Sequence, residues 1–347
     1  MGFSKVRILF SSHVFAPSIG GLESVSGMLA EEFARQGHEV RLITQTPADK
    51  SVHDSVPTWR QPSGATLLGL VRWCDVFFHN NISLPRAWPL LLVRRPWIVA
   101  HHVWIPRAGL AGGAKRLALR FATGIAVSSA IARHLSTPCT IIPNPYDEVT
   151  FRELPNVARN RDLVFLGRLV SDKGADVLIK AVHALAGRGL RPSVTIIGTG
   201  PEEANLRSHA EALGMQGQIR FAGARRGSEL TGLLNAHRLI VIPSIWEEPF
   251  GIVALEGMAC GCVPIGSAAG GLRDAIGAGG ETFPNGDVAA LTDVLEQLLR
   301  NPGRQEELRQ RAKEQLRRHT RACVAGQYLR VFAEVLRGHG HGNSAAA

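Results

Sequence analysis

Long hydrophobic runs are missing from this chain: no apolar stretch reaches the roughly 20 residues that cross a bilayer. Cysteine is scarce. Cys74, Cys139, Cys260, Cys262 and Cys323 form an odd set without scaffold spacing, so reduced thiols in a cytosol are expected. Cys260-x-Cys262 lacks a second ligand pair, which favours small buried thiols over a metal site. No Asp-x-Asp occurs, so a bridging divalent cation lacks its usual carboxylate clamp. Blocks of like charge are absent too, which argues against a nucleic-acid tail. The opening M-G-F-S-K-V-R-I-L-F has no apolar leader core and is expected to run into a strand. Val6 stands where a myristoylation pattern needs Ser or Thr.

What is present is globular. The 347 residues, 45% hydrophobic and 20% charged, suffice for two ordinary domains. A net charge of +10 suggests an anionic partner. Residues 1–150 hold 15 Lys/Arg against 9 Asp/Glu and the remainder 24 against 20, so the excess is spread. A nucleotide suits that distribution better than nucleic acid.

Strand and helix patterns alternate almost throughout, which predicts parallel sheets covered on both faces. Strands are expected over 6–10, 39–43, 75–79, 97–101 and 125–128, with a helix over 22–36. The stretch 46–64, rich in Pro, Ser, Thr and Asp, reads as a mobile loop. The pattern breaks near Pro143-Asn144-Pro145, and a polar segment follows to Arg161. The expected domains are 1–155 and 156–320, then a helix over 321–337 packing back on the first domain, and a disordered tail over 338–347. A second series of strands covers 162–169, 193–198, 219–223, 239–243 and 263–267. Helices are expected over 175–186, 201–213, 228–236, 252–260 and 288–300. The predicted class is α/β, two doubly wound Rossmann-like halves facing a central cleft, with ligands beyond the carboxyl ends of strands.

The richest block is S-I-W-E-E-P-F-G-I-V-A-L-E-G-M-A-C-G-C-V-P-I-G-S-A-A-G-G, residues 244–271. A strand precedes it, and a helix is predicted to open at Gly251 and Ile252. The free N–H groups of such a helix can hold an anion. Glu256 then sits about a turn and a half into that helix. A carboxylate there repels phosphate, but it accepts two hydrogen bonds from a vicinal diol. Diphosphate beside a ribose diol describes a nucleotide sugar.

Other turns supply partners, each with a plainer reading. Gly20-Gly21 lets backbone approach a phosphate, or serves as a plain turn. Arg168 and Lys173, where a strand hands over to a helix, offer a planar fork and a point charge suited to diphosphate; alternatively they are solvated. I-G-T-G-P-E, residues 197–202, is good capping chemistry, although Gly198 and Gly200 leave room for a nucleobase. His101 closes the strand W-I-V-A-H-H, and strand alternation turns one of His101 and His102 towards the cleft. Five of the six tryptophans fall in the first domain, where core packing explains most of them. Lys115, Arg116 and Arg120 lie among Leu117, Leu119 and Phe121, as a solvated helix face or a basic amphipathic contact for anionic membrane.

Taken together, these residues resemble the retaining glycosyltransferases of family 4, whose fold is GT-B. Gly20-Gly21 resembles the family's glycine loop, and G-H-E-V at 37–40 its helix-to-strand step. Gly167-Arg168-Leu169 with Lys173-Gly174 resembles its diphosphate clamp. Glu248 and Glu256 match its two glutamates separated by seven residues, and His101 its active-site histidine. The resemblance implies that the first domain lies on the acceptor side and the second binds the nucleotide sugar, that Arg168 and Lys173 stabilise diphosphate, Glu256 holds ribose, and Glu248 and His101 contact the donor sugar as catalytic residues. It also implies front-face attack with the leaving phosphate taking the acceptor's proton, and therefore no protein nucleophile. Two departures stand out. His102 replaces a frequent aspartate, and the first domain is short between Ile43 and Asp75.

The expected function is a retaining, metal-independent, cofactor-free transfer of a sugar from a nucleotide-diphosphate sugar to a glycan, lipid-linked or small-molecule acceptor. Cell-envelope or exopolysaccharide synthesis is the expected setting. A GT-B phosphorylase and a catalytically silent nucleotide-sugar-binding subunit are the alternatives. The expected location is cytoplasmic, with peripheral contact to anionic membrane as an extension of it.

Overall fold

The computed structural model describes residues 5–18, 20–48 and 54–344. The Met1-Gly2 start, residues 49–53 of the expected loop and residues 345–347 of the expected tail lie outside the described residues. The chain forms two compact units: residues 1–145 with 321–347, and residues 146–320.

Unit 1 contains a parallel sheet of β1 (Arg7–Ser12), β2 (Glu39–Thr44), β3 (Thr58–Arg60), β4 (Val76–Asn80), β5 (Trp97–His101), β6 (Thr123–Ala126) and β7 (Cys139–Ile141). Their order across the sheet is β3-β2-β1-β4-β5-β6-β7. Its helices are α1 (Gly21–Arg35), α2 (Gly64–Trp73), α3 (Leu84–Ala87), α4 (Leu110–Ala118) and α5 (Ser129–His134). Every residue of β4 and β5 is buried, which is why residues 76–78 and 97–100 read as unbroken apolar runs rather than as alternation.

The loop expected over 46–64 is not wholly a loop, because β3 lies within it and pairs with β2 from Leu42↔Thr58 to Thr44↔Arg60. The Arg41 guanidinium stacks over Trp59 and Trp73, at 5.4 and 3.9 Å from their ring centroids. That cation–π contact steadies a strand whose polar sequence gives no periodic signal.

Unit 2 carries β8 (Arg161–Leu166), β9 (Val194–Ile197), β10 (Ile219–Gly223), β11 (His237–Ile242), β12 (Val263–Ser267) and β13 (Glu281–Phe283). All are parallel, in the order β10-β9-β8-β11-β12-β13. Its helices are α6 (Ala175–Gly187), α7 (Glu203–Ala212), α8 (Gly227–Asn235), α9 (Ile252–Ala259), α10 (Leu272–Ile276), α11 (Val288–Arg300) and α12 (Pro302–Arg318). Helix α11 shows the local logic. The Asp287 side chain caps it by accepting from Ala290 N at 2.9 Å, and Leu291, Leu295 and Leu298 at helical spacing enter the core.

The units divide between Pro145 and Tyr146, ahead of the boundary expected at 155. The polar segment read as a linker is tied into unit 2 by hydrogen bonds. Asn235 Oδ1 accepts from Leu154 N at 2.7 Å, Asn235 Nδ2 donates to Arg152 O at 3.0 Å, and Arg159 donates to His237 O at 2.8 Å.

The last helix, α13 (Arg321–Ser344), belongs to unit 1, where it packs on α1. Tyr328 and Phe332 are fully buried against Phe33 and Phe78, with ring centroids 5.4–6.2 Å apart. The tail expected from 338 instead continues this helix to Ser344. Propagating a nucleated helix adds a hydrogen bond per residue, which outweighs the local glycine signal.

Candidate active site

In unit 2 the strand order reverses at β8, with β9 and β10 on one side of it and β11, β12 and β13 on the other. Doubly wound sheets bind ligands at such a switch point, beyond the carboxyl ends of the strands. Three loops meet there, after β8, β9 and β11. Backbone hydrogen bonds lock the first two together: Gly167 N donates to Ile197 O at 3.0 Å, Leu169 N to Thr199 O at 2.9 Å, and Glu202 N to Leu169 O at 3.0 Å. Side chains are excluded at that seam. A Cβ on Gly198, at φ +139°, would fall 1.8 Å from Gly167 O, and one on Gly200 would fall 2.3 Å from Leu169 O. The β11 loop is tied in through Asp172 O, which accepts from Ile245 N at 2.9 Å and Trp246 N at 3.3 Å.

These ties bring Lys173 and Glu248 into contact. Lys173 Nζ meets Glu248 Oε1 at 2.5 Å, and the same oxygen accepts from Ser244 Oγ at 2.7 Å. The two side chains are 23% and 14% exposed, so the pair is open enough for a ligand to reach and dry enough for its charges to be felt. The family resemblance assigns Lys173 to diphosphate and Glu248 to sugar; in this chain each answers the other's charge. Arg168 is different. It is exposed, and its guanidinium makes no hydrogen bond or ion pair among the described residues.

Helix α9 opens at Gly251, whose φ of 109° lies in the left-handed region, and no side chain caps it. The N–H groups of Ile252 and Val253 are therefore left for an outside acceptor. Glu248 is held over this entrance by a one-residue parallel bridge to Gly270, and Gly271 N donates to Glu248 O at 2.6 Å. Glu256, on α9, is half-buried, and its carboxylate has no hydrogen bond or ion pair among the described residues. Burial, and then the neighbouring Asp147 carboxylate, push its pKa up to about 7. An empty, partly protonated carboxyl poised in this way gains most from hydroxyl donors.

Ser244, Asp172 and Asn285 escape sequence reasoning. Asn285 accepts from Ala269 N at 2.8 Å and donates to Ser244 O at 3.1 Å, pinning the loop that bears Glu248. Its one sequence signal is the turn Pro284-Asn285-Gly286. Among the described residues, no group of three His, Cys, Asp or Glu side chains could hold a metal ion.

The remaining candidates belong to unit 1. His101 ends β5, is 1% exposed, and its Nε2 has no hydrogen-bond partner. Burial and the nearby His134 lower its pKa to about 4, so it is a neutral imidazole at ordinary pH. His102 is also buried, and its N–H donates to Asn81 Oδ1 at 2.8 Å. Gly20 and Gly21 do open α1, but a Cβ on Gly20 would meet Glu23 Oε2 at 2.5 Å. An acidic side chain thus already leans over that helix start. On the surface of α4 and the turn after it, Leu110, Leu117 and Phe121 are 96%, 58% and 79% exposed. No helix among the described residues is long and apolar enough to cross a membrane.

Residues 147–317 match the family described as "Glycosyl transferases group 1". A D-inositol 3-phosphate glycosyltransferase of Salinispora tropica is 32% identical over 199 residues, covering 54% of this chain and 41% of that protein. A phosphatidyl-myo-inositol mannosyltransferase of Mycobacterium leprae is 27% identical over 352 residues, covering 91% of this chain and 93% of its own length. Among solved structures, Anabaena HepE in complex with UDP and glucose superposes with a TM-score of 0.78 at 20% identity, over 94% of this chain and 99% of that one. Sucrose-phosphate synthase from Thermosynechococcus elongatus gives 0.76 at 20% identity, over 96% and 100%.

Proposed function

We propose that this chain, which has a GT-B fold and whose residues 147–317 match the group 1 glycosyl transferases, is a member of that family and moves a sugar from a nucleotide-diphosphate sugar to an acceptor hydroxyl, with retention and without a metal. The observation that carries this reading is the union of Arg168, Lys173, Glu248 and the uncapped start of α9 at the switch point of unit 2, with Glu256 unengaged beside them. In this reading the first N–H groups of α9 and the Arg168 guanidinium hold the diphosphate. Glu256 accepts both ribose hydroxyls. Lys173 leaves Glu248 for a phosphate oxygen as the donor enters, which frees Glu248 for a sugar hydroxyl. His101, neutral, exchanges a hydrogen bond with the sugar. The departing diphosphate takes the proton of the attacking hydroxyl, so no side chain serves as nucleophile.

The donor class is supported by HepE, seen with UDP and with UDP-glucose. The acceptor class is supported by relatives named for inositol phosphate and phosphatidyl-inositol. A cytoplasmic setting with peripheral membrane contact through the exposed Leu110, Leu117 and Phe121 beside Arg120 fits a lipid-like acceptor.

The test is donor hydrolysis across UDP-, GDP- and ADP-sugars in EDTA. Release of sugar that disappears in Glu256→Ala and Arg168→Ala supports the reading. Absence of turnover with every donor, or turnover that needs added metal, defeats it or its metal-free form respectively.

A further inference from the structure

Arginine cannot shed its charge inside a protein, and a buried one ordinarily meets a carboxylate or several carbonyls. Arg86 meets neither. It lies on α3, past the carboxyl end of β4, and is 4% exposed. Its Nε, Nη1 and Nη2 all lack a hydrogen-bond acceptor, and no acidic side chain pairs with it among the described residues. Burial, then the charges of Arg86 and of Lys115 on α4, hold the His13 imidazole below its ordinary pKa. Arg86 also bears on His79 of β4, which is fully buried with neither ring nitrogen hydrogen-bonded. His13 is exposed and Lys115 half-buried, so the cluster grades from solvent to interior.

The turn after β1 carries His13, helix α3 after β4 carries Arg86, and helix α4 after β5 carries Lys115. The three strands are neighbours, and all the groups lie at or beyond their carboxyl ends. Hydrogen bonds also accumulate at those ends: Asn80 Nδ2 donates to Ser26 Oγ at 2.7 Å, and Ser26 Oγ lies 2.9 Å from Ser12 Oγ. Asn80 Oδ1 is left without a partner. Converging positive charge with unspent donors is complementary to a compact, doubly charged anion.

We propose that Arg86, with Lys115 and His13 at the mouth, receives a phosphate group carried by the acceptor. This rests on the reading of unit 1 as the acceptor-binding half of a transferase. The guanidinium fork takes two phosphate oxygens, and Lys115 adds a point charge that draws the ligand in past His13.

The test uses thermal unfolding of the full chain with inorganic phosphate, glycerol 3-phosphate or chloride at matched ionic strength. Wild type, Arg86→Met and Arg168→Ala are compared without nucleotide. The expected result is protection by both phosphates in wild type and Arg168→Ala, with at least tenfold weaker apparent affinity in Arg86→Met. Should Arg86→Met fail to fold, Lys115→Ala and His13→Ala must each weaken protection. Equal protection in Arg86→Met, loss in Arg168→Ala alone, or no gain over chloride overturns the proposal. Protection by inorganic phosphate but not by glycerol 3-phosphate overturns the acceptor assignment. UDP protection of wild type, measured alongside, tests the donor reading separately, and its absence leaves the comparison at Arg86 intact.

Discussion

Glu256 gives the donor site a pH signature. With its pKa near 7, the carboxylate is about nine-tenths ionised at pH 8, half at pH 7 and one-tenth at pH 6. The ionised form is the better acceptor for the two ribose hydroxyls, so the apparent Kd for UDP rises, by at most about tenfold, from pH 8 to pH 6 through this group. Phosphate protonation adds its own dependence. The informative quantity is therefore the ratio of Kd values for 2′-deoxy-UDP and UDP, in which the diphosphate cancels. That ratio is expected to shrink as pH falls in the wild type and to stay flat in Glu256→Gln. Calorimetry in buffers of different ionisation enthalpy provides a second measure, with up to about half a proton released on binding at pH 7. Stability runs the opposite way. A carboxyl raised from 4.5 to about 7 favours the folded state below pH 4.5, and that advantage is lost as pH climbs to about 7, at most about 3 kcal/mol at about 1.4 kcal/mol per pH unit. A deoxy ratio with the same pH profile in Glu256→Gln as in wild type would refute the assignment of Glu256 to ribose.

Three further outcomes are expected. Gly198→Ala puts a methyl group on backbone oxygen at a φ of +139° and should cost about 3 kcal/mol, read as a lower unfolding midpoint, with weakened nucleotide binding; wild-type behaviour would mean that the seam can open. Lys173→Met strands Glu248 without its cation and removes a phosphate contact, so donor turnover should fall about 100-fold or more in the hydrolysis assay. Phe332→Ala removes a fully buried ring that touches Phe33 and Phe78 and should cost about 3–5 kcal/mol in thermal or denaturant unfolding.

The α/β alternation was legible because buried parallel strands are apolar throughout. The spans expected for β5, β10, β12 and α11 coincide with the structure. The short edge strands were not legible. Strand β3 depends on Arg41 reaching Trp59 and Trp73, contacts between segments that local composition does not report. Strand β13, three residues long, is held by pairing to β12. At the site, Arg168, Lys173, Glu248 and Glu256 announced themselves by chemistry and by their place after apolar runs. Their mutual arrangement did not. The contact of Lys173 with Glu248 joins residues 75 positions apart, and Ser244 and Asn285 act through hydrogen bonds that leave no periodic trace. Arg86 gives no such signal, because a lone arginine in a short Leu-Pro-Arg-Ala turn reads as surface. Only its burial without a partner marks it.

The assignment of α13 to unit 1 has a consequence for biogenesis. Unit 2 is an uninterrupted segment whose first and last turns are stitched by Tyr146 N donating to His319 O at 3.1 Å. A ribosome therefore makes everything unit 2 needs before it makes Tyr328 and Phe332, which complete the aromatic core of unit 1. The half that begins first is finished last, and the nascent chain must keep Phe33 and Phe78 from aggregating until residue 332 emerges.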